Sequence, residues 1–180
     1  MDSDIQQRLQ ETSDWLKKEY TSIRTGQASP ALLDNIKVES YGALVPINQV
    51  SSVSIEDART LRISAWDASS VAAIERAIIE ADLGVSLVTD SAGVRVIFPE
   101  LTSERREQLL KLAKNKLEDA RIAVRAVRDD LMKQIEKAGK SGDLSEDERF
   151  AKKEEVQSKI EAANKTLEQL CATKEQELNK

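Results

Sequence analysis

Ile23–Asp34 reads IRTGQASPALLD, and the fold turns on how this stretch is understood. A helical pattern runs into it. Upstream, Ile5, Leu9, Thr12, Leu16, Tyr20 and Ile23 recur at steps of three and four, which places them on one helical stripe that fades near Gly26. Downstream the period changes. IKVESY, LRISAW and VRVIF are β-rich runs, with weaker strand candidates in VPINQV, SVSI and VSLV, punctuated by Gly42, Gly84 and Gly93. Between them SSVAAIERAIIEADLG reads as one helix, with Ser69 or Ser70 as cap and Gly84 as terminator.

Helical periodicity resumes about 80 residues further on. Leu110, Ala113, Leu117, Ala120, Val124, Val127 and Leu131 alternate steps of three and four, and Ile135 follows, which is a heptad seam. Thr102 or Ser103 is the expected N-cap, with Glu104 complementing the helix dipole in the first turn. AGKSGDLSED closes that helix and opens another, where Ser145 and Glu148 have the spacing of a capping box. Val156, Ile160, Ala163, Leu167 and Leu170 continue the seam. At 1.5 Å per residue each of these two helices is roughly 50 Å long, too narrow in its apolar stripe to stand alone.

The fold class expected is therefore α+β. A long three-helix bundle of residues 1–29 and 103–180 carries a small inserted β/α/β domain of residues 30–102, in an L-shaped two-domain arrangement. Two connections join them, one through Gly26, Gln27, Ser29 and Pro30 and one through Pro99 and Thr102. These six residues are the candidate hinge.

Composition narrows the function. The chain of 180 residues has one cysteine and no histidine, so neither Cys/His metal sites nor histidine-based catalysis is available. No cofactor is expected. No run of about 18 apolar residues occurs and the N-terminus is polar, so the expectation is a cytoplasmic protein with no membrane partner. Gly139-Lys140-Ser141 imitates the end of a phosphate-binding loop, but Gln134 stands where that motif needs a glycine, and a helix rather than a strand precedes it. A plain helix–helix turn is the better reading. The acidic side chains fall on polar helix faces, and Cys171 adjoins the seam with no base to activate it.

The net charge of −5 hides an asymmetry. Residues 30–102 hold 5 basic and 10 acidic side chains, whereas residues 103–140 hold 11 and 7. One step round from the seam lie Lys111, Lys114, Glu118, Arg121, Arg125, Arg128 and Met132, a stripe that is cationic except at Glu118 and Met132. Two readings stand. The stripe is a solvated flank whose alkyl stems shield the seam, or it is a row of guanidinium groups suited to the phosphates of structured RNA. The corresponding functions are an RNA-binding factor and a coiled-coil scaffold with a basic protein-binding face.

IRTGQASPALLD, SIEDARTLRISAWD, ERAIIEADLG, LTSERRE and ARIAVRAVRDD resemble, in this order and across essentially the whole chain, the bacterial and organellar ribosome recycling factors. The resemblance implies a three-helix bundle with an inserted domain in a bent, transfer-RNA-like outline. It implies a non-enzymatic, monomeric translation factor that binds the post-termination ribosome and, with elongation factor G as the GTP-hydrolysing partner, promotes subunit splitting. In that family the bundle lies across large-subunit ribosomal RNA. By matching segments, Arg24 of IRTG, Arg106 of SERRE, and Arg121, Arg125 and Arg128 of ARIAVRAVR take RNA-binding positions, with Lys114 on the same stripe and Arg128 foremost. Two residues depart from the family's usual reading: Gln27 stands where TGRASP has arginine, and Asp129 where VRNVRR has one. Both lower the positive charge expected on the RNA side, and weaker or less salt-dependent binding follows.

Overall fold

The computed structural model describes residues 2–180, with side-chain surroundings from Asp4 onward. In chain order the elements are α1 (Asp2–Thr21), β1 (Lys37–Ser40), β2 (Ala43–Pro46), β3 (Ser51–Asp57), β4 (Thr60–Ala65), α2 (Val71–Glu80), β5 (Ser86–Thr89), β6 (Gly93–Ile97), α3 (Ser103–Ser141) and α4 (Glu146–Leu178). Short 3-10 turns at Pro30–Leu33, Ile47–Gln49 and Ala68–Ser70 link them. Two compact units result, one taking the chain up to Tyr20 with Glu107–Asn179, the other Thr21–Arg106.

The helical unit is an antiparallel bundle, as its cross-helix bonds show. From α1 to α3, Arg8 pairs with Asp130 at 2.8 Å and Glu19 with Lys116 at 3.0 Å, so rising numbers meet falling ones. From α3 to α4, Lys114 meets Glu175 at 3.6 Å, Arg121 meets Glu168 at 2.7 Å, and Glu136 meets Lys153. The α3 seam buries Ala113, Leu117, Ala120, Val124, Val127, Leu131 and Ile135 as the spacing predicts, but its first buried leucine is Leu109, with Leu110 only half-buried. Tyr20 anchors the head of α1: its buried hydroxyl donates to the Ala113 carbonyl at 2.8 Å, and burial pushes its phenol well above the ordinary value.

Three details of the bundle differ from the periodicity. Helix α1 ends at Thr21 rather than near Gly26, and Ser13 is buried where Thr12 was expected, with Leu9 and Thr12 half-buried. On α4 the buried stripe runs Val156, Ile160, Leu167, Cys171, Lys174, Leu178, while Ala163 and Leu170 are half-buried. The stripe passes through Asn164, whose Oδ1 is buried without a hydrogen-bond partner among the described residues, and Lys174 lies on it directly. Two polar residues on the seam displaced the apparent pattern by one position. Polar seam residues of this kind cost stability and fix register.

The turn between α3 and α4 is a helix cap. Asp143 N–H donates to the Ala138 carbonyl at 3.0 Å and Gly142 N–H to the Gly139 carbonyl at 3.4 Å, and Gly142 takes φ 83°. This is the Schellman pair of bonds. The Gly-Lys-Ser run is thus the last turn of α3, and the Ser145–Glu148 capping box then starts α4.

The second unit is wholly antiparallel. β1 and β2 form a hairpin, and β3-β4-β6-β5 form a four-stranded sheet. Inward-facing Leu61, Ile63, Val94 and Val96 pack with Ile74 and Ile78 of α2 and with Phe98, all at or near full burial. A side chain at Gly93 would place its Cβ 1.9 Å from the Ile63 carbonyl oxygen, so only glycine lets β6 lie this close to β4. The solvent side of the sheet carries Arg62 directly opposite Arg95. Asp90 neutralises the first at 2.7 Å and Glu56 the second at 2.8 Å.

The sequence set the joins at 29/30 and 102/103, whereas the units divide at Tyr20 and Arg106. Backbone bonding accounts for the difference on the first side, because Ala28 N–H donates to the Ala58 carbonyl at 2.9 Å beyond β3. Residues 21–29 are thereby tied into the sheet unit.

Candidate nucleic-acid interface

Helix α3 is a rod of 39 residues, about 58 Å at 1.5 Å per residue. With its seam turned inward, one flank carries Lys116 and Asp130, which bind α1. The other flank carries Lys114 and Arg121, which bind carboxylates of α4. The cationic stripe therefore lies on the α4 side of α3 and turns outward from it.

Each cation is held differently. Arg121 is the most enclosed at 36% exposure, donating from Nη2 to Glu168 at 2.7 Å with Glu118 at 3.8 Å. Arg125 is 59% exposed and has, among the described residues, only Glu118 as ion-pair partner, at 3.7 Å. Arg128 is 44% exposed and lies 3.4 Å from Asp129, its chain neighbour. Lys114 is 68% exposed, 3.6 Å from Glu175. Screened pairs of this length contribute about 0–1 kcal/mol each. A phosphate oxygen accepting two parallel guanidinium N–H bonds is the stronger partner. Arg125 and Arg128 are thus poised to exchange partners, whereas Arg121 acts first as a staple between α3 and α4. Glu168 and Glu175 lie 47 and 61 residues away from their partners in sequence, so nothing in the sequence pattern pointed to them.

Arg106 and Arg24 are not on that stripe. Arg106 precedes Leu109 and Ala113 on the inward side of α3, half-buried, and its Nε is buried without a hydrogen-bond partner among the described residues. Thr102 sets this end of the helix: its hydroxyl accepts from Arg105 N–H at 3.1 Å and its carbonyl from Arg106 N–H at 2.9 Å.

Arg24 is turned into its own unit. Its Nη1 donates to the Gly84 carbonyl at 2.6 Å, its Nη2 to the Pro99 carbonyl, and its Nε to the Thr25 carbonyl at 3.2 Å. The guanidinium carbon stands 5.7 Å from the centre of the Phe98 ring. Burial, then the nearby Arg105 charge, lowers its pKa from the ordinary arginine value. With its donors facing protein carbonyls, Arg24 ties Thr25 to Gly84 and Pro99 within the sheet unit. Gly84 takes φ 66°, and a Cβ there would sit 3.3 Å from Arg24 Nη1.

Within the first connection, Gln27 is exposed and its N–H donates to Thr25 Oγ1 at 3.3 Å. Ser29 accepts at its carbonyl from Leu32 N–H at 3.2 Å, and Pro30 opens the 3-10 turn, where its missing N–H costs nothing. Gly26 has open space around it. No helix among the described residues is long and apolar enough to cross a membrane.

A family profile described as Ribosome recycling factor matches residues 16–178. The ribosome-recycling factor of Enterococcus faecalis is 41% identical over 172 residues, covering 96% of this chain and 93% of that protein. That of Rhodospirillum centenum is 42% identical over 174 residues, covering 97% and 94%. A solution structure of the ribosome recycling factor superposes with a TM-score of 0.80 at 34% identity, covering 98% of this chain and 94% of the other. A second similar structure, from models for the Thermus thermophilus ribosome recycling factor and the Escherichia coli elongation factor G bound to the E. coli post-termination complex, gives 0.66 at 36% identity, covering 98% and 95%.

Proposed function

The chain belongs to the ribosome recycling factor family, a family of non-enzymatic translation factors, and from that premise we propose how its residues serve ribosome recycling. The long helix α3 lays Arg125 and Arg128, flanked by Lys114 and Arg121, against phosphates of large-subunit ribosomal RNA. Elongation factor G, hydrolysing GTP, then drives separation of the subunits. The protein acts as a monomer in the cytoplasm. The observation that carries this reading is the row itself: five cations along one side of a continuous helix, with Arg125 59% and Arg128 44% exposed and held, among the described residues, only by pairs longer than 3 Å.

Arginine suits this task because its charge persists at all working pH and its planar fork matches phosphate. A rigid helix fixes the spacing of the row, so little order has to be imposed on binding. Gly26 to Pro30 and Pro99 to Thr102 serve as the two strands of a hinge, with Arg24 tying Thr25, beside the first, to Pro99 in the second. Force delivered by the GTP-driven partner to the sheet unit passes through these strands to the bundle. A disulfide between the two connections should spare ribosome binding and abolish splitting, and normal splitting in that variant would remove the hinge from the mechanism.

A second reading is favoured by the carboxylates within 4 Å of Lys114, Arg121, Arg125 and Arg128, which suit a solvated flank of a scaffold protein. Co-sedimentation with purified large subunits separates the two. RNA binding comes off steeply as salt rises, log affinity falling by about 0.7–0.9 per phosphate contact for each tenfold rise in salt. Gln27→Arg, which adds a cation beside Gly26, should tighten that binding. Unchanged affinity would leave Gln27 outside the RNA surface.

A further inference from the structure

On the far side of α4 from Glu168 and Glu175, which meet α3, the helix faces α1 across a cavity of about 330 Å³. The apolar part of its lining is small: Leu9 from α1, with Ala162 and Ala163 from α4. Ser13 lines it too, and this residue is 8% exposed while its hydroxyl forms no hydrogen bond among the described residues. A buried hydroxyl without a partner destabilises the fold, so its place on the wall of a cavity marks a bond kept for something outside the chain. Gln6 stands one helical turn before Gln10, and both amides line the same side of α1. The Gln6 side chain makes no hydrogen bond among the described residues. Gln10 donates its Nε2 to Asp14 Oδ1 at 2.9 Å, which leaves its carbonyl oxygen as an acceptor. Thr166 already donates to the Ala162 carbonyl at 3.1 Å and can only accept. The one formal charge on the lining is Lys159, held at 2.7 Å by Glu155.

Size and donor pattern select the ligand. A cavity of this volume lies at the small end of ligand sites and suits one heterocycle with its sugar rather than a peptide segment. Acceptors outnumber donors on its walls: the Gln6 and Gln10 carbonyl oxygens and the Ser13 and Thr166 hydroxyls, against the Gln6 amide N–H and the Ser13 proton. The complementary group is an amino group beside a ring nitrogen, and a glutamine amide grips that pair of atoms bidentately on adenine. Guanine and uracil put a carbonyl oxygen in place of the amino group, where it meets further acceptors. Lys159 supplies the charge for a phosphate on the same nucleotide, and no carboxylate is among the lining residues. We propose that the α1–α4 cavity binds a single adenine nucleotide, its base edge read by Gln6, Gln10 and Ser13 and its phosphate met by Lys159. The nucleotide is a free one or an unpaired residue of ribosomal RNA, whose splayed bases proteins read at such edges; the second source rests on the recycling reading.

Adenosine monophosphate titrated into the isotope-labelled full chain should move the amide resonances of Ser13, Ala162, Ala163 and Thr166 with a Kd of about 1 mM, the strength of a small ligand held by few bonds. Guanosine and uridine monophosphates should bind about tenfold more weakly. Gln6→Ala, at an exposed position, should weaken adenosine monophosphate about tenfold with an unchanged melt. Ser13→Ala should weaken it too yet melt no lower than the native chain, because it removes an unpartnered buried hydroxyl. Ala162→Trp, also at an exposed position, should block the cavity. On purified large subunits, a nucleotide belonging to RNA appears as one adenine that the native chain protects from dimethyl sulfate and bound Ala162→Trp leaves open. Shifts with adenosine monophosphate and no such adenine assign the site to a free nucleotide, whereas such an adenine without those shifts assigns it to RNA. Equal shifts with all three nucleotides overturn the proposal, as does no shift up to about 10 mM together with no variant-sensitive adenine. Failure of the native chain to bind large subunits would instead overturn the RNA reading of α3, and the nucleotide titration still decides this one.

Discussion

Replacing Arg128 with alanine removes a guanidinium that is 44% exposed and has one ion pair among the described residues, with Asp129 at 3.4 Å. Adjacent helix positions project about 100° apart, so this pair is poorly aligned and open to solvent. Its loss should change stability by less than about 0.5 kcal/mol. Binding responds much more. One charge-assisted bond to a phosphate contributes about 1.5–3 kcal/mol, or about 10- to 150-fold in Kd. The dependence of log affinity on log salt should also become shallower by about 0.7–0.9. Titrating a fluorescent chain onto purified large subunits between about 50 and 200 mM salt reads both quantities, and a thermal melt of the same sample reads stability. A Kd that rises while the slope stays at the native value would refute a phosphate contact by Arg128. A melting point that falls in step with affinity would show a structural residue instead.

Arg24→Ala should behave in the opposite way. It removes donors to the Gly84 and Pro99 carbonyls and the stack on Phe98, so stability of the sheet unit should drop by about 2–3 kcal/mol with the salt slope unaltered; a native melt with a shallower slope would return Arg24 to the RNA. Arg62 and the Ala92 and Gly93 N–H groups hold the Asp90 carboxyl well below the usual carboxylate range. A depressed pKa contributes stability above the unfolded value near 4 and loses it as pH falls below that. The drop in melting temperature between neutral pH and about pH 3 should therefore be smaller in Asp90→Asn than in the native chain, and equal drops would remove Asp90 from the acid response. Lys174 is 8% exposed with Glu177 as its ion-pair partner at 3.4 Å, and burial lowers its pKa. Lys174→Met should raise stability by about 1 kcal/mol, measured by denaturant midpoint; a lower midpoint would mean that the buried charge is well satisfied.

The α3 seam was legible because its apolar positions alternate without a polar interruption. The same period failed to resolve α4, where Asn164 and Lys174 occupy the stripe and the eye settles on Ala163 and Leu170. The strands were visible as β-branched runs, but their division into a hairpin and a separate sheet depends on pairings between distant segments. In the candidate site, the row of arginines could be counted from the seam, since one helical step fixes direction. What each arginine touches could not. Glu168 binds Arg121 from another helix, and the Gly84 and Pro99 carbonyls that hold Arg24 are backbone groups without a signature in the residue type. Tyr41 reads as part of a strand, yet it opens the β1–β2 turn at φ 49°.

The most direct measurement is subunit splitting of purified post-termination ribosomes by the native chain and by an Arg125→Ala/Arg128→Ala variant, each with and without elongation factor G and GTP. The native chain should split subunits only with that factor and GTP present. The variant should melt like the native chain and split far less, recovering as its concentration is raised or the salt lowered. Native-level splitting by the variant at sub-saturating concentration, or none by the native chain with the factor present, would contradict a recycling role carried by the α3 arginines.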